Sequence, residues 1–206
     1  RLRLTRDGFD CDAMVFSHMG VLDSISDYAG ELALRVEVEY ARHRNIVIVA
    51  HSMGGLVTRY YLRNLRATDQ VKTVITVATP HHGTFGGMIL PPKSTPTSEM
   101  LPGSPFLEEL NSVSETVPGV DFHAIWTPTD GVVIPPENSI MCGARNYKVS
   151  GLGVTHLGLL MSDAAYEVIL DVLHGQRPPA TGPQTRDHNE AKRHPLPWLR
   201  LRDERQ

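Results

Sequence analysis

The sequence predicts an α/β protein with a mostly parallel sheet flanked by helices, and three observations carry that prediction. Short β-branched runs at Asn45–Ala50, Val71–Ala78 and Asp121–Thr127 alternate with stretches of helical periodicity. The first of these runs passes straight through His51-Ser52-Met53-Gly54-Gly55 into a helical pattern, leaving no room for a loop. The chain has 206 residues, 41% hydrophobic and 21% charged, which suits one domain with a full core.

Taken in order, residues 2–9 read as the end of a helix, stopped at Gly8. Ala13–Ser17 reads as a short buried strand. From Asp23 to Arg44, Ile25, Tyr28, Leu32, Val36 and Tyr40 recur at spacings of three and four, the mark of an amphipathic helix. Asn45–Ala50 reads as a buried strand and Gly54–Leu65 as the helix after it. Strands follow at Val71–Ala78, Asp121–Thr127 and, more weakly, Tyr147–Ser150. A closing helix spans Leu157–Leu173, with Leu157, Leu160, Ala164, Val168 and Val172 on one face.

Residues 85–118 interrupt this alternation. They are rich in glycine and proline, with one helical piece near Ser104–Leu110, and such a segment covers a site or lacks order. Met88, Ile89, Leu90, Met100, Leu101, Phe106 and Leu107 make an apolar cover one reading of it and a plain surface loop the other. From Gly175 onward the chain is proline- and charge-rich and reads as mostly disordered. The folded unit is therefore 1–174.

A net charge of −3, with no basic cluster before residue 175, argues against nucleic acid as a partner. No apolar run approaches the roughly 20 residues that cross a bilayer. Cys11 and Cys142 read as two separate buried thiols rather than a disulfide framework. Compartment stays open, as does oligomeric state.

The turn at Ser52 is the strongest chemical signal. A strand-to-helix turn this tight strains its central residue, demands small neighbours at Ala50 and Gly54, and lifts the serine oxygen to the carboxyl end of the sheet. Gly55 adds room for close helix packing. The backbone N–H of Met53 would serve as one oxyanion donor. A serine hydroxyl needs a histidine base held by a carboxylate. Of ten histidines, His156 alone follows the last strand through a Gly-rich loop and directly precedes the closing helix. Asp130 ends the strand at 121–127 in a Thr-Asp-Gly turn; Glu137 is its rival, and Asp121 belongs to the opposite end of the sheet. His51, His81 and His82 read as pocket or structural residues. No metal is expected at the His81-His82 pair, since no nearby Asp, Glu or Cys completes a ligand set.

These residues resemble a known family. The elbow Ala50-His51-Ser52-Met53-Gly54, the block "GARNYKVSGLGVTHLGLLMS" at 143–162 with Gly153, His156, Gly158, Leu159 and Leu160, and "ATPHHGT" at 78–84 are similar to the α/β-hydrolase lipases and esterases, small Bacillus-type lipases above all. The resemblance covers roughly residues 9–173 and matches the insert poorly. It implies an α/β-hydrolase fold and ester or lipid hydrolysis through an acyl-enzyme, without cofactor, with Ser52 as nucleophile, Asp130 as acid and His156 as base. In the family an earlier central strand ends in a His-Gly-type turn that gives a second oxyanion N–H. No such strand precedes Arg1, and His18-Met19-Gly20 follows the wrong strand. The resemblance therefore implies a chain truncated at its start, with a half-built oxyanion hole and weak or no turnover. Acyl transfer or thioester hydrolysis would use the same three residues, and a non-catalytic binding scaffold would suit the absent strand.

Overall fold

The computed structural model describes residues 1–16, 23–65, 69–86 and 94–185. Its elements are α1 (Leu2–Arg6), α2 (Ile25–Glu39), β1 (Ile46–His51), α3 (Met53–Asn64), β2 (Val71–Val77), α4 (Thr95–Glu99), α5 (Pro105–Asn111), β3 (Asp121–Trp126), β4 (Arg145–Lys148) and α6 (Asp163–Leu173). Short 3-10 turns occupy Pro136–Ser139 and Gly158–Met161.

The four strands form one parallel sheet in the order β1-β2-β3-β4. One face packs on α2, α3 and α5 through Ile25, Tyr28, Leu56, Tyr61, Val74, Leu107, Leu110 and Phe122. The other packs on α6 through Ile75, Ile125, Tyr147, Leu159, Ala165 and Val172. Layering helices on both faces is what lets a parallel sheet bury its apolar runs. Parallel strands all end at one edge, so the residues following β1, β3 and β4 gather there.

Polar residues set the helix starts. Ser24 caps α2 in a reciprocal pair with Asp27, and Ser94, Ser104 and Ser162 cap α4, α5 and α6. The amide of Ile25, in the first turn of α2, also donates to Glu99 at 2.7 Å, tying α4 to the body.

Several sequence expectations are corrected. Ala13–Phe16 forms no strand: Val15 is 83% exposed and Phe16 packs on the Tyr28 ring of α2 instead of a sheet neighbour. Ser17 and the His18-Met19-Gly20 turn lie outside the described residues. β1 is half-buried, not buried, because among the described residues it pairs on one side only; Val47 and Val49 are exposed while Ala50 is covered. The closing helix starts at Asp163, since Gly158–Met161 winds into a 3-10 turn and Ser162 supplies the cap. Leu157, Leu160 and Ala164 are consequently exposed, and Ala165 and Val172 carry the buried face.

The insert and the tail also differ from expectation. In the insert, Leu107 and Leu110 are core residues and Phe106 stacks on Tyr60, so α5 packs as part of the body. Met88, Ile89 and Leu90 are outside the described residues. Residues just past Gly175, read as disordered, run along β4. Thr181 exchanges backbone bonds with Asn146 and Lys148, and Gln184 bonds Asn146. An open strand edge leaves N–H and C=O groups that such a segment satisfies. Cys11 and Cys142 form no disulfide, as expected, but both are half-buried rather than buried.

Candidate active site

Ser52 stands between the last residue of β1 and the first of α3 with φ +54° and ψ −129°. Only a small share of non-glycine residues adopt positive φ, at a cost of about 1–3 kcal/mol. The surroundings hold it there: its amide donates to the Val77 carbonyl at 2.9 Å, and its carbonyl accepts from Gly55 at 3.1 Å. The strict need for smallness falls on Gly55 rather than Gly54. A Cβ on Gly55 would sit 2.2 Å from Thr79 Oγ1, whereas one on Gly54 would meet Ala50 Cβ at an ordinary 3.9 Å. Met53 opens α3, where first-turn amides lack intrahelical acceptors and the helix end favours negative charge.

The three residues singled out by chain order meet at the sheet's carboxyl edge. His156 Nε2 lies 3.0 Å from Ser52 Oγ. His156 Nδ1 lies 2.9 Å from Asp130 Oδ2 and 3.1 Å from Oδ1. Asp130 and His156 are buried, and Ser52 is half-buried. Burial raises the Asp130 pKa, but the His156 imidazole and the amides of Val132 and Val133, each 2.8 Å from Oδ1, outweigh it and hold the carboxyl below its ordinary value. An ionised carboxylate only accepts, so Nδ1–H donates to Asp130 and Nε2 is left to accept the Ser52 proton. Hydroxyl, imidazole and carboxylate in that sequence can relay a proton and free the oxygen to attack a carbonyl.

The supporting bonds were not readable as site residues. Thr127 and Thr129 both donate to the Val154 carbonyl, joining the acid loop to the histidine loop. Thr84 donates to the Val132 carbonyl at 2.6 Å and accepts from Gly86 and Ile134, joining the segment after β2 to the acid loop. The Thr84 signal was present in the "ATPHHGT" stretch; the other two threonines carried none beyond a turn composition.

The flanking histidines separate in role. His51 Nε2 donates to the His156 carbonyl at 3.1 Å, and the two rings lie 4.7 Å apart; burial lowers the His51 pKa, so the ring is neutral near pH 7. His81 is fully buried, not in an open pocket. It bonds Thr76 Oγ1 at 3.1 Å beside the buried Arg59 guanidinium, and burial and Arg59 push its pKa well down. His82 meets Glu115 and Cys142, so the expectation that no acid or thiol lies near it is overturned. Those residues are 33 and 60 positions further along the chain, a distance that local spacing does not bridge. Glu137, the rival acid, lies in a 3-10 turn and Asp121 at the far end of β3.

Residues 12–86 match the family described as a PGAP1-like alpha/beta domain. A Candida albicans protein named GPI inositol-deacylase is 26% identical over 133 residues, 65% of this chain and 30% of that protein. Aspergillus fumigatus lipase B superposes with a TM-score of 0.65 at 18% identity, over 82% of this chain and 46% of the lipase. Bacillus licheniformis lipase BlEst2 in its mature form gives 0.58 at 17% identity, over 73% and 75%. The chain thus spans less than a third of the curated relative it matches and under half of the fungal lipase. No described helix is long and apolar enough to cross a membrane. The parallel sheet, its flanking helices and these neighbours identify the chain as an α/β-hydrolase-fold protein, of the architecture that lipases and esterases share.

Proposed function

We propose that the chain is a serine ester hydrolase that works through an acyl-enzyme on Ser52. The observation that carries this reading is the hydrogen-bonded order Ser52, His156, Asp130, with contacts of 3.0 and 2.9 Å. His156 takes the Ser52 proton as Oγ attacks an ester carbonyl, then returns it to the departing alkoxide. Water repeats the sequence to release the acid. Asp130 holds the imidazole tautomer and stabilises the imidazolium. The Met53 amide is one donor to the oxyanion. No step needs a cofactor.

A lipid ester is the substrate class this reading favours. Both superposed enzymes bear the name lipase, and the Candida relative's name denotes removal of an acyl group from an inositol lipid. The narrower likeness to small Bacillus-type lipases rests on Ala50–Gly54 and the 153–160 block alone.

A fluorophosphonate probe tests the reading without requiring full turnover. Covalent labelling of Ser52, absent in Ser52→Ala and reduced by about 10³-fold or more in His156→Ala, is the expected result. No labelling of a folded sample would sink the hydrolase reading and favour a binding scaffold. Acyl transfer is separated by supplying p-nitrophenyl acetate with an alcohol acceptor and asking whether free acid or a new ester accumulates.

A further inference from the structure

The loop after β2, the end of the insert and the loop before β4 bring together three donor side chains that the Ser52 relay does not use. Ligand atoms of His82, Glu115 and Cys142 all lie within 4.8 Å of one another. The His82 and Glu115 side chains are 9% and 10% exposed, with Nε2 3.4 Å from Glu115 Oε1. His82 Nε2 is buried and makes no well-aligned hydrogen bond among the described residues, its contact with Glu115 Oε1 at 3.4 Å being long, which leaves the nitrogen open to a ligand.

We propose that His82, Glu115 and Cys142 form a site for one divalent cation of the zinc class, completed by a water molecule. A tetrahedral zinc with bonds of about 2.0–2.3 Å places neighbouring donors about 3.3–3.6 Å apart. The His82–Glu115 separation of 3.4 Å already has that spacing. The cluster closes on an ion by side-chain shifts on the order of 1 Å.

The donor set selects the metal. Imidazole and thiolate suit zinc, whereas magnesium and calcium take oxygen ligands. One carboxylate and one thiolate neutralise a dication, which a half-buried site requires. Glu115 is prepared for the role. The amide of Cys142 donates to Oε2 at 2.7 Å, fixing the carboxylate and leaving Oε1 toward His82. The His82 backbone is pinned too: its amide donates to the Asn138 carbonyl at 3.1 Å. Binding releases the Cys142 thiol proton to solvent, with no change in oxidation state. The neighbouring Arg59 cation opposes the ion, so affinity falls below that of an all-thiolate site.

The test is cobalt titration of the whole chain after chelator treatment. The expected result is a cobalt–thiolate charge-transfer band saturating at one equivalent and discharged by zinc. Cys142→Ser abolishes the band, Cys11→Ser leaves it, and Glu115→Gln weakens uptake by about tenfold or more. Circular dichroism verifies that each variant is folded. A second measurement needs no variant: zinc slows iodoacetamide alkylation of Cys142 but not Cys11, read by mass spectrometry. A band that survives Cys142→Ser, or neither band nor protection at micromolar metal, overturns the site.

Discussion

A methyl group on the α-carbon of Gly158 would sit 2.0 Å from the carbonyl oxygen of Gly153. The two glycines close the loop that carries His156, and Gly153 adopts a positive φ to do so. Gly158→Ala therefore forces the loop open. A displacement of about 1 Å at a proton-relaying side chain costs on the order of 10²-fold in rate. Fluorophosphonate labelling of Ser52 is expected to slow by about 10- to 100-fold, with a smaller loss in urea midpoint. Unchanged labelling would show that the loop absorbs the methyl group.

Gly54 and Gly55 are adjacent in sequence but opposite in tolerance. Gly54→Ala meets only ordinary contact and gains up to about 1 kcal/mol of helix propensity. Gly55→Ala drives a carbon into Thr79, an overpacking that costs about 1–3 kcal/mol. Urea melts of the two single variants decide the matter. Equal midpoints would mean that α3 does not press against the segment after β2 as described.

Arg59 is a buried cation that serves as a fastener for the insert. Its Nε donates to the Glu115 carbonyl at 3.0 Å and its Nη2 to Asn111 Oδ1 at 2.7 Å. Burial lowers its pKa to about 10, still charged at neutral pH. Arg59→Met leaves those acceptors unpaired, at about 1–3 kcal/mol for each buried group. Reduced stability is expected together with faster subtilisin cleavage within 94–118. Cleavage confined to other segments would argue against the fastening role.

Stability should fall below neutral pH. Burial lowers the folded-state pKa of His51 and of the 1%-exposed His123 below 6.5. Between the folded and unfolded values the unfolded chain binds more protons, so stability is fully present above about 6.5 and is lost as pH falls below it. Each group contributes a slope of at most about 1.4 kcal/mol per pH unit. Asp130, whose pKa is also lowered, adds its loss only in the carboxylate range. Urea midpoints are expected to drop between pH 7.5 and 5; a flat profile would refute the buried-neutral assignment.

Chain order singles out Ser52, Asp130 and His156 as candidates, because a parallel sheet delivers successive strand ends to one edge, and the three side chains do meet there. The segment at 13–16 misled for the opposite reason: a short apolar run does not say whether its partner is a strand or, as for Phe16, a helix side chain. The convergence of His82, Glu115 and Cys142 was hidden because three loops far apart in sequence meet only after the sheet forms. The Gly153–Gly158 contact is half visible in the sequence: both glycines stand in the 153–160 block, but their spacing does not show that they oppose each other across a loop.

Thr127 and Thr129 share the Val154 carbonyl, and that sharing makes the acid loop and the histidine loop a single mechanical part. Anyone building chimaeras from hydrolases of this architecture would have to move 127–130 and 151–158 together as one cassette. Transplanting either half alone would carry a side chain without the strut that aims it.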